Sequence, residues 1–566
     1  MSASAPSPRR PRPSLPIDVG LLVFIGALVI IILLGRSHLR PFDAPELDPS
    51  PFLIPLYLVR SLARLALAYF FAVTLALAVG RLAARSPFAR RIILPTLDVL
   101  QSVPILGFFP AAVAVFIGIF RESALGVEAA AVFLVFTSMF WNLAFSVYET
   151  LITLPEELVL AGRQFGLRGP LFWTRLILPA VAPNLLYNSI LSWSNGWYFL
   201  MASEIIAAGP ARYTLPGLGS YLAQAIEEGR NDRMGLALLV LILVVFGMHL
   251  LVWSPLETWA ERFHMGETGD RPRIPRMGRL LVRSRLVHWL ARDVMTPFAQ
   301  WTFRAWGRVL DLPGPFSTLL AVLAAAAFAV GVGVAGWKAA HFAFERPLGP
   351  LARQIPWTLL LSFLRVTVGV GLAVVLSIPL AFLTFRHARM RQTVLSLLQI
   401  LGSIPATAFF PLIAVLMLRL RLGMNVGAIL LVLTGTFFYV AFNVLSGAAS
   451  IPKEMNDAAA MLGLRRRDYL RRVFVPAVLP SLVTGCVTAW GGGWNAIIFS
   501  EYVVAGGRRY EVAGIGAMLD RATYVTGDLQ IVTLSLVSMV ALVVLVNRVF
   551  WDPLYQHVAQ RYKLEA

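Results

Sequence analysis

The chain has 566 residues, of which 58% are hydrophobic and only 14% charged, against about 25% charged in a typical soluble domain. This excludes a soluble globular protein: several apolar runs exceed the roughly 20 residues a helix needs to cross a bilayer, and the alternating strands of roughly 10 residues that build an outer-membrane barrel are missing. The net charge of +19 sits in short arginine clusters between apolar runs, which is how helix connections set membrane orientation, so no nucleic-acid partner is expected.

In chain order, residues 1–18 are rich in Pro, Ser and Arg and read as a disordered cytosolic tail carrying Arg9, Arg10 and Arg12. Apolar runs predict membrane spans near 19–34, 56–82, 93–120, 126–148, 177–208 and 234–254. The stretch 255–315 reads as an arginine-rich cytosolic linker, either a simple basic connection or one with an amphipathic piece near 286–306 lying on anionic lipid headgroups. A second series follows near 316–341, 357–385, 394–419, 426–447, 474–505 and 529–551, and 556–566 is a cytosolic tail. The expectation is an all-α integral membrane protein of about twelve helices, in domains 19–254 and 316–555. With both termini inside, Arg85, Arg90, Arg163, Arg175, Arg386, Arg389, Arg466 and Arg471 all fall in cytosolic connections.

Enzymatic chemistry finds little support. The lone cysteine, Cys486, lies in an apolar run, so neither an internal disulfide nor a thiolate metal cluster is available. None of the three lysines (Lys338, Lys453, Lys563) stands in a phosphate-cradling GxxxxGK[ST] loop. The seven histidines form no HExxH, and no Gly-x-Ser-x-Gly elbow is present. The chain is not its own ATPase, and no metal site is expected.

The two series are copies. Ser61 and Arg64 match Ser362 and Arg365, and Ser102, Pro104 and Phe108-Phe109-Pro110 match Ser403, Pro405 and Phe409-Phe410-Pro411, all at an offset of 301. From Pro155/Pro452 the offset is 297 and holds through Glu157/Glu454, Gly166/Gly463, Pro179/Pro476, Trp193/Trp490, Trp197/Trp494, Glu204/Glu501, Gly217/Gly514 and Gly219/Gly516. An even number of spans per copy gives both the same orientation, related by an axis along the membrane normal, with a path between them.

The connection between the fourth and fifth spans of each copy is the most informative segment. One reads Asp457-Ala458-Ala459, three residues, Gly463, nine residues, then Val473 to Pro476; the other reads Leu160-Ala161-Gly162, three residues, Gly166, nine residues, then Leu176 to Pro179. The pattern describes a short helix with small side chains on one side, a glycine break and a second helix entering the membrane at a proline. It resembles the EAA loop of binding-protein-dependent ABC importer permeases. The resemblance implies two fused permease domains, each a six-helix repeat of the type I importer fold, in a bacterial inner membrane. It also implies two cytosolic ATPase subunits, which bind the ATP and magnesium that this chain does not, and an extracytoplasmic solute-binding protein. The coupling residues carried over are Glu157, Ala161, Gly162, Gly166 and Pro179 in the first loop. Those in the second are Glu454, Asp457, Ala458, Ala459, Gly463 and Pro476. Leu160 replaces the acidic residue of the pattern, so the first loop is expected to couple more weakly. The SxPxxxFFP segments, the Trp-rich fifth span and Ser203-Glu204 with Ser500-Glu501 are most similar to nitrate/sulfonate/taurine-type permeases, which implies a small oxyanion or sulfonate as solute.

Ionisable residues inside a membrane are functional candidates. Trp193, Trp197 and Glu204 lie within about 40° of one another at 100° per residue, Trp490, Trp494 and Glu501 repeat the stripe, and both stripes are read as facing the central path. Arg64 and Arg365 are placed at similar depth, giving an expected Arg–Glu pair in each half; Arg side chains reaching to headgroups and an aromatic belt are the plainer alternative. A secondary transporter driven through Glu204 and Glu501 is the competing functional reading, against which the paired loops stand.

Overall fold

The computed structural model describes residues 47–102, 124–260, 347–404 and 423–561, except 168, 209, 210, 386, 450, 506, 507 and 527, together with isolated positions near 105–120, 263 and 413–420. The expected spans at 19–34 and 316–341, most of 255–315, and Pro104, Pro110, Pro405 and Pro411 lie outside the described residues.

Each half is built from the same elements. In the first, α1 (Ile54–Arg85), α2 (Pro87–Ser102) and α3 (Ala124–Ile152) lead to the short α4 (Glu156–Gln164), followed by α5 (Leu178–Ser203). A hairpin of β1 (Ile205–Ala208) and β2 (Ala211–Thr214), a short α6 (Leu218–Glu227) and α7 (Asn231–Met248) complete it. The second half repeats them as α8 (Ile355–Thr384), α9 (Ala388–Ser403), α10 (Met424–Ala449), α11 (Lys453–Met461) and α12 (Val475–Ser500). Then come β3 (Tyr502–Ala505), β4 (Arg508–Glu511), α13 (Ile515–Arg521), α14 (Leu529–Val546) and α15 (Asp552–Arg561). Among the described residues eight helical stretches are long and apolar enough to cross a membrane, four in each half.

The all-α membrane expectation holds, and two short antiparallel hairpins add to it, in register Ile205↔Thr214 and Tyr502↔Glu511. The spans expected to reach 208 and 505 stop at Ser203 and Ser500. The apolar run continues past both helices because the first hairpin strands are themselves apolar, Ile-Ile-Ala-Ala and Tyr-Val-Val-Ala. Two helices also run across the expected domain boundaries, Ser254–Ala260 past 254 and α15 past 555; polar residues enter there without breaking the helix.

The long helices start alike. Pro55 and Pro356 sit in the first turn of α1 and α8, where a missing N–H costs nothing. Along α1 the residues Ala68, Ala72, Ala76 and Gly80 are buried, and along α8 Gly369, Ala373, Ser377 and Ala381 are. Each series is a four-residue repeat on one side of a helix, and the two match at the offset of 301. Small side chains let helix backbones approach in a membrane, where packing rather than water exclusion drives association. α1 packs extensively on α3, and α8 on α10. α3 in turn packs on α5 and α10 on α12, so each half has its own three-helix core.

Candidate coupling helices and solute chamber

The short helices α4 and α11 carry the residues expected to couple. Acidic side chains occupy their first turns, Glu156 and Glu157 in α4 and Glu454 in α11, where carboxylates oppose the positive end of the helix. Both helices end in the same device. Gly166 N–H donates to the Arg163 carbonyl at 3.1 Å and Leu167 N–H to the Gly162 carbonyl at 3.0 Å; Gly463 donates to Ala460 at 3.0 Å and Leu464 to Ala459 at 3.2 Å. This is a Schellman cap, which needs a left-handed residue just past the helix. Gly166 and Gly463 supply it with φ of 73° and 61°.

Gly162 and Ala459 face inward at matched positions and are buried, while Ala161 is half-buried and Leu160, Asp457 and Ala458 are outside. A Cβ on Gly162 would lie 3.1 Å from Leu176, so the small residue of the motif is required by the helix's own seat. Pro179 and Pro476 stand in the first turns of α5 and α12. The tips remain bare: Phe165 is 85% exposed and its counterpart Leu462 76%. Arg81 stacks over Trp173 at 4.2 Å beneath the first loop. A ring cluster of Phe382, Phe385, Tyr469 and Phe474 supports the second.

At the opposite end of each half a fully buried carboxylate gathers the chain. Ser61 Oγ donates to Glu204 Oε1 at 2.5 Å, Arg64 Nη1 to the same oxygen at 2.9 Å, and the Gly219 N–H to Oε2 at 2.6 Å. Glu501 receives Ser362 at 2.6 Å, Arg365 Nη1 at 2.6 Å and the Gly516 N–H at 2.7 Å. The serines close the loop by accepting from Leu218 N–H and Ile515 N–H, both at 2.9 Å. A Cβ on Gly217 or Gly514 would fall 2.2 or 2.1 Å from the carboxylate carbon, which accounts for those glycines in the repeat. The expected Arg–Glu pairs are therefore present. One difference separates the halves: Arg64 also grips Glu128 through Nε and Nη2 at 2.6 and 2.8 Å, while Arg365 Nη2 meets Asn425 at 2.7 Å. Glu128 and Asn425 correspond at the offset of 297.

Between the halves lies a cavity of about 660 Å³. None of Arg64, Trp193, Trp197, Glu204, Arg365, Trp490, Trp494 and Glu501, expected to face the path, is among the described residues that line it. They are buried, and the four indole N–H groups have no hydrogen-bond partner among the described residues. Trp193 meets Tyr69 and Trp253 edge-on, and Trp490 meets Phe363. The chamber instead takes the other side of the same helix: Asn188, Leu191, Asn195 and Tyr198 fall on a stripe about 160° from the tryptophans at 100° per residue. A neutral polar stripe in an apolar span was the available signal, and the larger aromatic and charged residues drew attention from it. The two halves meet across the chamber where Tyr439 O–H donates to Asn195 and where Ile105 N–H donates to Asn495 Oδ1 at 2.8 Å. At the offset of 297 the counterparts of Tyr439 and Asn195 are Asn142 and Gly492, so that Tyr–Asn contact has no twin.

Paired helical lobes around a polar chamber, each with an exposed capped helix at one end, define a transport permease. The chain matches the family described as the binding-protein-dependent transport system inner membrane component over residues 72–254 and 369–564, and it belongs to that family. The matches fall once on each half, so the chain is a fused pair of permease domains. It is 29% identical over 150 residues to a nitrate import permease protein of Leptolyngbya laminosa, covering 26% of this chain and 52% of that protein. To a bicarbonate transport system permease protein of Synechococcus elongatus it is 28% identical over 168 residues, 30% and 57% of the two. To the taurine transport system permease protein of Escherichia coli it is 28% identical over 181 residues, 32% and 62%. The chain thus spans between about half and two thirds of the length of these relatives.

Two outcomes follow. Removing one partner of a buried ion pair costs about 3–5 kcal/mol. Arg64→Ala leaves two carboxylates beside one another and Arg365→Ala only one, so Arg64→Ala should lower yield and detergent melting temperature more; equal losses would contradict the charge difference between the halves. Alanine at a left-handed position costs roughly 1–2 kcal/mol. Gly463→Ala and Gly423→Ala, which carries the same backbone penalty at φ 77°, should therefore lower the detergent melting temperature by similar amounts.

Proposed function

We propose that this chain forms the solute path of an ATP-driven importer, working with two copies of a cytosolic ATPase and an extracytoplasmic solute-binding protein. The observation that carries the proposal is the pair of capped helices at one end of the molecule, each presenting a bare apolar tip, Phe165 and Leu462, at matched positions. Exposed apolar tips on rigid short helices suit insertion into grooves of a partner, and two of them call for two partner sites. ATP and magnesium belong to those subunits. The helix tips then face the cytosol, with both termini on that side of an inner membrane, and the carboxylate-pinned hairpins face outward.

A gradient-driven transporter would need Glu204 or Glu501 to exchange protons or ions with the path. Each is saturated by an arginine, a serine and backbone N–H donors, and neither lines the chamber. The relatives named for nitrate, bicarbonate and taurine support a small oxyanion or sulfonate as solute. The chamber lining bears on that choice directly.

Mild solubilisation of the tagged chain from native membranes, with quantitative mass spectrometry, should recover a P-loop ATPase at two copies per chain; recovery of the chain without any ATPase would refute the importer reading. Leu160, exposed where Asp457 stands in the other loop, predicts unequal loops. Asp457→Ala should depress ATP-driven uptake while Leu160→Glu maintains or raises it, and equal effects of the two would remove the asymmetry.

A further inference from the structure

The two walls of the chamber match in position but not in content. On the chamber side of α5 stand Ser194, Asn195 and Tyr198; at the offset of 297 the same positions of α12 are Gly491, Gly492 and Asn495, and all six line the cavity. At the first two positions the first half supplies side chains and the second supplies space. A Cβ on Gly491 would meet nothing within 4 Å among the described residues, so this glycine leaves a gap on the α12 wall. A Cβ on Gly492 would lie 3.1 Å from Tyr439 Cε2, and the hydroxyl of the same tyrosine donates to Asn195 Oδ1. One ring thus joins the glycines of one half to the asparagine of the other.

The lining asparagines differ in what their amides have left to give. Asn142 Nδ2 donates to Ser192 Oγ at 3.2 Å and Asn188 Nδ2 to the Asn184 carbonyl at 2.9 Å. Asn443 Nδ2 donates to the Tyr439 carbonyl at 2.9 Å and Asn495 Nδ2 to the Gly491 carbonyl at 3.2 Å. Asn195 is held through its oxygen, and both hydrogens of its amide stay unspent among the described residues. One turn further along α5 the Tyr198 hydroxyl is buried with no partner among the described residues, and a buried donor without an acceptor costs free energy. Two neutral donors on one side of one helix suit a group with several acceptor oxygens, and hydrogen bonds to a charged acceptor are roughly twice as strong as neutral ones. The carboxylates on the lining, Glu149 and Asp552, follow the last turns of α3 and α14 toward the end that bears α4 and α11. Asn195 lies about two turns nearer the hairpin end than Asn188.

We propose that the solute's oxyanion group docks to one side of the axis relating the halves. Its oxygens accept from the Asn195 amide and the Tyr198 hydroxyl, and the rest of the solute occupies the space that Gly491 and Gly492 leave on the opposite wall. The inference rests on the oxyanion reading above and gives it a seat.

The test uses the chain with its co-purified ATPase in lipid nanodiscs. In the variant Cys486→Ser/Gly491→Cys, modification by the small anionic thiol reagent 2-sulfonatoethyl methanethiosulfonate is followed by intact mass, with ionic strength held constant by gluconate. The thiol at position 491 should react, and methanesulfonate or nitrate at up to roughly 0.1 M should slow the reaction about threefold or more. Asn195→Asp keeps an acceptor for Tyr439 but removes the amide donors, and should abolish that protection. Asn195→Leu serves the same purpose if the aspartate variant does not fold. Dimethyl sulfone, close in shape to methanesulfonate but uncharged, should protect far less. A thiol that does not react overturns the proposal, as does reaction that neither anion slows, protection that survives either substitution at Asn195, or equal protection by the sulfone. ATP hydrolysis by the same preparation is read separately. Active hydrolysis without anion protection sinks the seat alone, whereas a chain that never couples to an ATPase sinks the permease reading.

Discussion

Each half is organised around one buried carboxylate. A charge removed from water is tolerated only when it is paired and its lone pairs are filled, and Glu204 and Glu501, at the ends of α5 and α12, meet that demand by collecting donors from two other elements each. An arginine and a serine come from α1 or α8, and backbone N–H groups come from the start of α6 or α13. The glycines that let the backbone approach, the hairpin that returns the chain to the carboxylate and the serine that bridges to the short helix are all consequences of satisfying it. The hairpin end is thereby held as one unit. The opposite end is left to the capped helices α4 and α11, whose seats are made by a buried small residue and a ring cluster rather than by charge.

Much of this was legible in the sequence, and the reason is duplication. A single Glu in an apolar run is ambiguous, but Ser61, Arg64, Glu204 and Gly219 recurring as Ser362, Arg365, Glu501 and Gly516 at two constant offsets implied a set of residues acting together, and the structure brings them together. The loop glycines were readable for the same reason, since a helix of that length followed by Gly at a fixed place states its own cap. The hairpins were not readable: Ile205–Ala208 and Tyr502–Ala505 are as apolar as the spans they follow, so hydropathy does not separate strand from helix there. The surroundings of the tryptophan stripe were not readable either. Periodicity shows that Trp193, Trp197 and Glu204 share a side of α5 but not what that side meets, and the carboxylate's requirement for donors was better served within its own half than by a wet path.

Separate roles on the two sides of α5 and α12 follow from this arrangement. One side carries bulky aromatic residues and the ion pair into the core of its half, where packing is dense. The other carries asparagine, threonine, glycine and tyrosine toward the opposite half, where space is left open. The helices that build each core are therefore the helices that shape the chamber.

The contact between Tyr439 and Asn195 has a further consequence. In a chamber built from two identical subunits, every wall is duplicated, and a solute lacking its own two-fold axis finds two equivalent poses. Here the positions that would mirror this contact hold Asn142 and Gly492, so the two poses are inequivalent. Joining the repeats in one polypeptide lets each wall mutate alone, because the covalent link fixes which lobe stands opposite which. The two side walls of the chamber thus differ from one another, an asymmetry that two copies of a single half cannot have.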